Sequence, residues 1–234
     1  MARIWWLRLF ALMLCNLAFI VTKPVAQADS PTASQFVERP DVRRNAQQKK
    51  DVANFGVYAY IQWKKINLQA GQGGTFSYHR VASIQTNPWR YVEFGWTKNI
   101  AGDCAGVAVN NFCALIVYNA GGGDFAHPVA FTKADHSYSI QYDPNTTKHW
   151  FYLDGNNVWN KNSGFGQGNQ VKGGGEVGAG VEQMKDVHLS SLEYLVNNGG
   201  NFQFVFWNGY VDAEQEAPYS NIDGGPNDFF DHGP

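Results

Sequence analysis

Hydrophobic and polar positions alternate with a period of two along several short stretches of this chain. In Gly56–Trp63 the residues Val57, Ala59, Ile61 and Trp63 share one face, and Tyr58, Tyr60 and Gln62 share the other, as in a half-buried strand. Gly71-Gln72-Gly73-Gly74 then marks a turn, and 75–84 reads as a second strand that ends before Asn87-Pro88. Further strands are expected at 89–98, 112–118, 137–143, 148–154, 170–180, 187–196 and 201–210, each bounded by Gly, Asn, Asp or Pro clusters. One stretch has two readings: Val181, Met184, Val187, Leu192 and Leu195 also fall roughly on one face of a helix. Many short strands without alternating helices predict an all-β fold, an antiparallel β-sandwich or jelly roll. Aromatic residues make up 15% of the chain and often occupy both faces of a strand, which fits a sandwich with an aromatic-lined concave cleft.

The ends of the chain differ from this pattern. Arg3 and Arg8 precede an apolar run, Leu9 to Val21, and Ala26-Gln27-Ala28 follows, the layout of a secretory signal peptide over 1–28. Residues 29–54 are polar, with Pro31, Pro40, Arg43, Arg44, Lys49 and Lys50, and read as a flexible leader or short pro-segment. The folded domain is expected over 55–234, in a secreted protein, extracellular or periplasmic. Without Arg3, Arg8 and Lys23 the mature chain carries 15 basic and 20 acidic residues, a net charge of −5 that argues against nucleic acid or an anionic membrane as partner. Two cysteines remain, Cys104 and Cys113. In an oxidising compartment they are expected to close one short loop, worth about 2–3 kcal/mol. No zinc-type ligand spacing occurs, and neither a metal nor another cofactor is expected.

Two carboxylates stand out. Glu176 lies in Gly173-Gly174-Gly175-Glu176-Val177-Gly178, and on strand alternation Gly174, Glu176 and Gly178 share a face. Glu93 lies in Tyr91-Val92-Glu93-Phe94-Gly95-Trp96, where Tyr91, Glu93 and Gly95 share one face and Val92, Phe94 and Trp96 form the core face. Taken singly, a glutamate in a strand belongs to a solvated face and a glycine run to a loop. Together, two carboxylates lining one cleft would share a proton, one drawing a proton from water while the other donates. The glycines would then leave room for a substrate backbone, with Tyr91, Gly174, Gly175, Gly178, Tyr58, Tyr60 and Gln62 as the candidate binding surface.

The order of these motifs resembles the neprosin domain, a family of glutamic peptidases. The similarity runs through Gly56-Val57 to Trp63, Glu93-Phe94-Gly95-Trp96, the cysteine-bounded loop, His149-Trp150-Phe151-Tyr152, Gly174-Gly175-Glu176-Val177 and the Asp228-Phe229-Phe230-Asp231-His232-Gly233-Pro234 tail. The resemblance implies a concave antiparallel sandwich that cleaves peptide or protein substrates at acidic pH, often after proline, with Glu93 and Glu176 as the catalytic pair. A monomer is expected. The chain departs from the family in its short leader, in Asn157-Val158-Trp159-Asn160 where the family has Gly-Tyr-Trp-Pro, and in its cysteine spacing. Two rival readings use the same scaffold. A jelly-roll glycoside hydrolase also works through paired carboxylates, whereas a carbohydrate- or protein-binding module would not need the pair.

Overall fold

The computed structural model describes residues 34–35, 43–68, 76–99, 103–108, 111–178 and 184–233. The expected signal peptide lies outside the described residues. In chain order the strands are β1 (Ser34–Gln35), β2 (Arg43–Asn54), β3 (Gly56–Ile61), β4 (Phe76–Thr86), β5 (Trp89–Asn99), β6 (Phe112–Asn119), β7 (Asp124–Val129) and β8 (His136–Asp143). They continue with β9 (Lys148–Leu153), β10 (Asn156–Lys161), β11 (Gly168–Gly178), β12 (Val187–Asn198), β13 (Asn201–Phe206), β14 (Val211–Gln215), β15 (Ser220–Gly225) and β16 (Asp228–His232). The first sheet has the order β1-β7-β6-β5-β4-β11-β2-β14, and the second β10-β9-β8-β3-β12-β16-β15 with β13 also on β12. Neighbouring strands run antiparallel, and the protein is an all-β sandwich of the jelly-roll type.

The core lies between the sheets and follows from the alternation. Val92, Phe94 and Trp96 of β5 are fully buried, as are Val57, Ala59 and Ile61 of β3. Phe94 meets Tyr138 of β8 and Phe151 of β9 edge-on, at ring separations of 5.0 and 5.9 Å, joining the two sheets by aromatic packing. The Trp96 indole donates 3.0 Å to the Gln62 carbonyl.

Two expectations fail here. Residues 43–54 are not a flexible leader: they form β2, inside the first sheet between β11 and β14. The strand is invisible to hydrophobic periodicity because its order comes from backbone ladders on both sides and polar side-chain contacts. Asn54 donates 3.1 Å to the Gln170 carbonyl and accepts 2.6 Å from Ser83, while Gln48 donates 2.7 Å to Asp212. The helical alternative near 181–195 fails as well, since Val187–Asn198 is a strand. A bulge between Ser190 and Glu193, with Ser191 at φ 53°, spaces the buried Leu189 and Leu192 three residues apart. The inserted residue counterfeits a helical step.

Candidate active site

On the face of the first sheet turned away from the second, β4, β5, β6 and β11 line a groove of about 250 Å3. Its floor is Tyr78, Arg80, Glu93, Leu115, Val117 and Glu176, and Asn45, Gln47, Trp89, Tyr91, Asp124, Lys172 and Glu214 are among its walls. The two glutamates therefore open to the same groove.

Register explains how they meet. Arg80 sits opposite Gly95 of β5 on one side and Gly174 of β11 on the other. Glu93 and Glu176 stand two residues beyond those glycines, so each is a diagonal neighbour of Arg80. Neither lateral neighbour has a side chain, and the guanidinium lies in that space. Its Nε donates to Glu93 Oε2 at 3.0 Å and its Nη2 to Glu176 Oε2 at 2.8 Å. All three side chains are deeply placed, with 8%, 15% and 10% exposure for Arg80, Glu93 and Glu176. The carboxyls thus converge on a buried arginine, an arrangement the sequence reading missed. Its only trace in the sequence is a lone arginine at an alternating position of a strand rich in small and apolar residues.

The electrostatics follow from burial and this triad. Burial raises the pKa of Glu93 above the ordinary glutamate value, Arg80 pulls it back, and the Glu176 charge raises it again. Burial works against the Arg80 charge, but the two glutamates outweigh it and hold the guanidinium protonated. Burial, then the charges of Glu93 and Asp124, hold Tyr91 in the phenol form. Tyr78 packs against the Arg80 guanidinium, 5.1 Å from ring centroid to Cζ, and donates 3.0 Å to the Leu115 carbonyl.

The other expected site residues divide. Tyr91 lines the groove. Gly174 is on the groove face, but its freedom serves the chain itself: φ is +139°, and a Cβ there would lie 2.2 Å from the Ala46 carbonyl oxygen of β2. Gly175 points the other way, where a Cβ would lie 3.0 Å from Asp231 Oδ2 and from Met184 Sδ. Gly178 ends β11 opposite Arg43. The glycines accordingly admit neighbouring strands and core groups. Tyr58, Tyr60 and Gln62 do not belong to the groove. Val57, Ala59 and Ile61 take the inward face of β3 in the second sheet, which turns Tyr58 and Tyr60 outward; Tyr58 packs against Phe204. Gln62 is held by its backbone, donating to the His188 carbonyl and accepting from Trp96. Cys104 and Cys113 form the expected disulfide, with Cα atoms 5.5 Å apart.

Behind the groove lies a second polar cluster with no surface opening. His79 Nδ1 is 2.6 Å from Asp231 Oδ2 and its Nε2 is 3.0 Å from Ser77 Oγ. Ser77, His79 and Asp231 are all fully buried. The order of groups resembles a nucleophilic triad, yet no substrate reaches it, and it serves as a tie between β4 and β16. Among the described residues no group of three or more His, Cys, Asp or Glu side chains is arranged to hold a metal ion.

No protein-family model matches the sequence, and no curated protein sequence matches it. Solved structures do resemble it. Scytalido-glutamic peptidase with a transition-state analogue inhibitor aligns over 86% of this chain and 100% of its own, with 11% identity and a TM-score of 0.53. The eqolisin-family peptidase SCP-B, with the tripeptide Ala-Ile-His, aligns over 86% of this chain and 100% of its own at 11% identity and a TM-score of 0.46. The β-glucanase of Bacillus licheniformis aligns over 58% of this chain and 59% of its own, at 14% identity and a TM-score of 0.38. At this identity the likeness to scytalido-glutamic peptidase is one of fold: this chain is built on the sandwich that protein uses.

Proposed function

We propose that the protein is a secreted glutamic peptidase that hydrolyses peptide bonds at acidic pH. The observation that carries this is the convergence of Glu93 and Glu176 on Arg80 in the floor of one groove. The neprosin-like order of motifs and the scytalido-glutamic peptidase-like fold support it from separate directions. The signal-like segment at 1–28 and the Cys104–Cys113 disulfide support secretion.

In this reading Glu93, whose proton affinity is raised by burial, is the acid, and Glu176 is the base. Glu176 takes a proton from a water molecule as the water oxygen bonds to the scissile carbonyl carbon. Glu93 gives its proton to the departing nitrogen as the C–N bond breaks. A proton then passes from Glu176 to Glu93 and restores the starting state. Arg80 touches neither reacting atom. It is a positioning residue that aims both carboxyls and holds the pair at one net negative charge when both are ionised.

Incubation with a denatured protein and, separately, with a mixed-linkage β-glucan across acidic pH tests the class. The reading expects new peptide termini by mass spectrometry and no sugar release. Sugar release without peptide cleavage would make the protein a glycoside hydrolase. The termini also test the expected preference near proline.

A further inference from the structure

We infer that the groove carries a subsite for a basic side chain, lysine or arginine, built from Trp89, Tyr91 and Asp124. The inference rests on the peptidase reading and names its substrate class. The three residues form a continuous patch. Tyr91 of β5 is opposite Asn119 of β6, which is opposite Asp124 of β7, so the three stand in one row across adjacent strands. Asn119 donates 2.7 Å to Asp124 Oδ1, and Asp124 is close enough to the Tyr91 phenol to help hold it protonated. Trp89 stands two residues before Tyr91, with the rings 6.1 Å apart, and is 50% exposed.

The charges in the groove are unevenly satisfied. Arg80 is held by Glu93 and Glu176, and Lys172 pairs with Glu214 at 3.3 Å. Asp124 lines the same groove, and among the described residues no lysine, arginine or histidine forms an ion pair with it. The Asn119 amide is a neutral donor, which orients the carboxylate without neutralising it. A carboxylate offers about four acceptor positions, so acceptor capacity remains for an incoming cation. The exposed Trp89 indole, next to Tyr91 on the same groove wall, supplies a face over which a guanidinium or ammonium group is favoured. A neutral or aliphatic side chain would gain from Trp89 but leave the carboxylate unpaired.

Position relative to the chemistry is also defined. Tyr91 and Glu93 are alternate residues on one face of β5, about 7 Å apart along the strand. An extended peptide laid along the groove repeats its own side chains at the same spacing. The basic residue therefore sits within two residues of the bond cleaved. Asp103, at the Asn99 end of β5, lies at the opposite end of the groove from Trp89 and does not share this subsite.

The test is cleavage of a matched peptide series that differs at one position near the cut: Lys, Arg, norleucine, Gln or Glu. The full-length mature protein should prefer Lys and Arg over norleucine and Gln by about tenfold in kcat/KM, equivalent to about 1.4 kcal/mol. In Asp124→Asn the ratio should fall to about twofold, and in Asp124→Lys the preference should turn to Glu. A variant that reverses preference is folded by that result. Equal rates across the series in the unmodified protein, or an unchanged ratio in Asp124→Asn, would overturn the subsite while leaving the peptidase reading in place. Binding of the Lys and norleucine peptides to Glu176→Gln, measured by calorimetry, separates the two further. Tighter binding of the Lys peptide without turnover in the unmodified protein keeps the subsite and rejects the peptidase. Equal binding of both peptides rejects the subsite.

Discussion

Arg80 decides the behaviour of the two glutamates. Replacing it with Gln would leave Glu93 and Glu176 facing one groove without the cation that holds them, and breaking a buried ion pair from one side costs about 3–5 kcal/mol. We expect Arg80→Gln to be destabilised by that order at neutral pH in urea unfolding. The deficit should shrink in acid, as the carboxyls take up protons. The alkaline limb of kcat/KM should also move to higher pH, because Arg80 is the group that pulls the Glu93 pKa down. A variant with normal neutral-pH stability and an unmoved pH profile would remove Arg80 from the account. At this scale Glu93 and Glu176 could be picked out of the sequence, Glu176 by the glycines around it and Glu93 by its place between Tyr91 and Gly95 on one strand face. Arg80 could not, because nothing local marks which strand lies between two others. Tyr58, Tyr60 and Gln62 were misplaced for the same reason: alternation gives the two faces of a strand but does not say which sheet it joins.

Among the elements, β11 carries the heaviest constraint. It is paired along its length with β4 on one side and β2 on the other, and Gly174 faces β2 with no room for a Cβ. A methyl group there would meet the Ala46 carbonyl at 2.2 Å in a backbone conformation that side chains rarely adopt. We expect Gly174→Ala to lower the unfolding midpoint strongly, with a loss of about 3 kcal/mol or more. Gly95→Ala, whose Cβ would lie 1.9 Å from the His79 carbonyl, should behave alike. Gly106→Ala is a mild comparison, since no atom lies within 4 Å of its Cβ position, although its φ of +85° carries a smaller backbone cost. If Gly174→Ala is no less stable than Gly106→Ala, the close approach does not limit the sheet. The strong aromatic strands β3, β5 and β9 could be read from the sequence, as could the β8–β9 hairpin. The polar strands β2, β14 and β15 could not, because ladders and amide contacts leave no apolar period.

For the whole molecule, buried titratable groups of both signs shape pH-dependent stability. Glu93 and Asp231 both have raised pKa values on folding, caused first by burial, with Arg80 opposing in Glu93 and His79 in Asp231. Each adds its full stabilising contribution below the ordinary carboxylate range, and that contribution is lost as pH rises through the folded-state pKa. Asp51, Asp143, Asp154 and Asp223 are shifted down and act with the opposite sign, but they lie at the surface, where solvent screens them. The fully buried His149, its pKa lowered to about 3 by burial, adds stability as pH rises towards neutrality, so the carboxyls show as a decline relative to that rise in the unfolding midpoint from pH 4.5, the ordinary glutamate value, towards neutrality. The decline should be smaller in Glu93→Gln. Equal slopes in the two proteins would mean that Glu93 is not buried as described.

The most direct test of the central claim is the rate of hydrolysis of one cleaved peptide by the unmodified protein, Glu93→Gln, Glu176→Gln and the double variant at the acidic optimum. Removing either member of an acid–base pair should cost about 100- to 10,000-fold in kcat. The double variant should be about as slow as either single one, because the two groups act as a unit. Retention of the unmodified rate in Glu176→Gln, in protein that unfolds at the normal midpoint, would contradict the assignment of this groove as a peptidase active site.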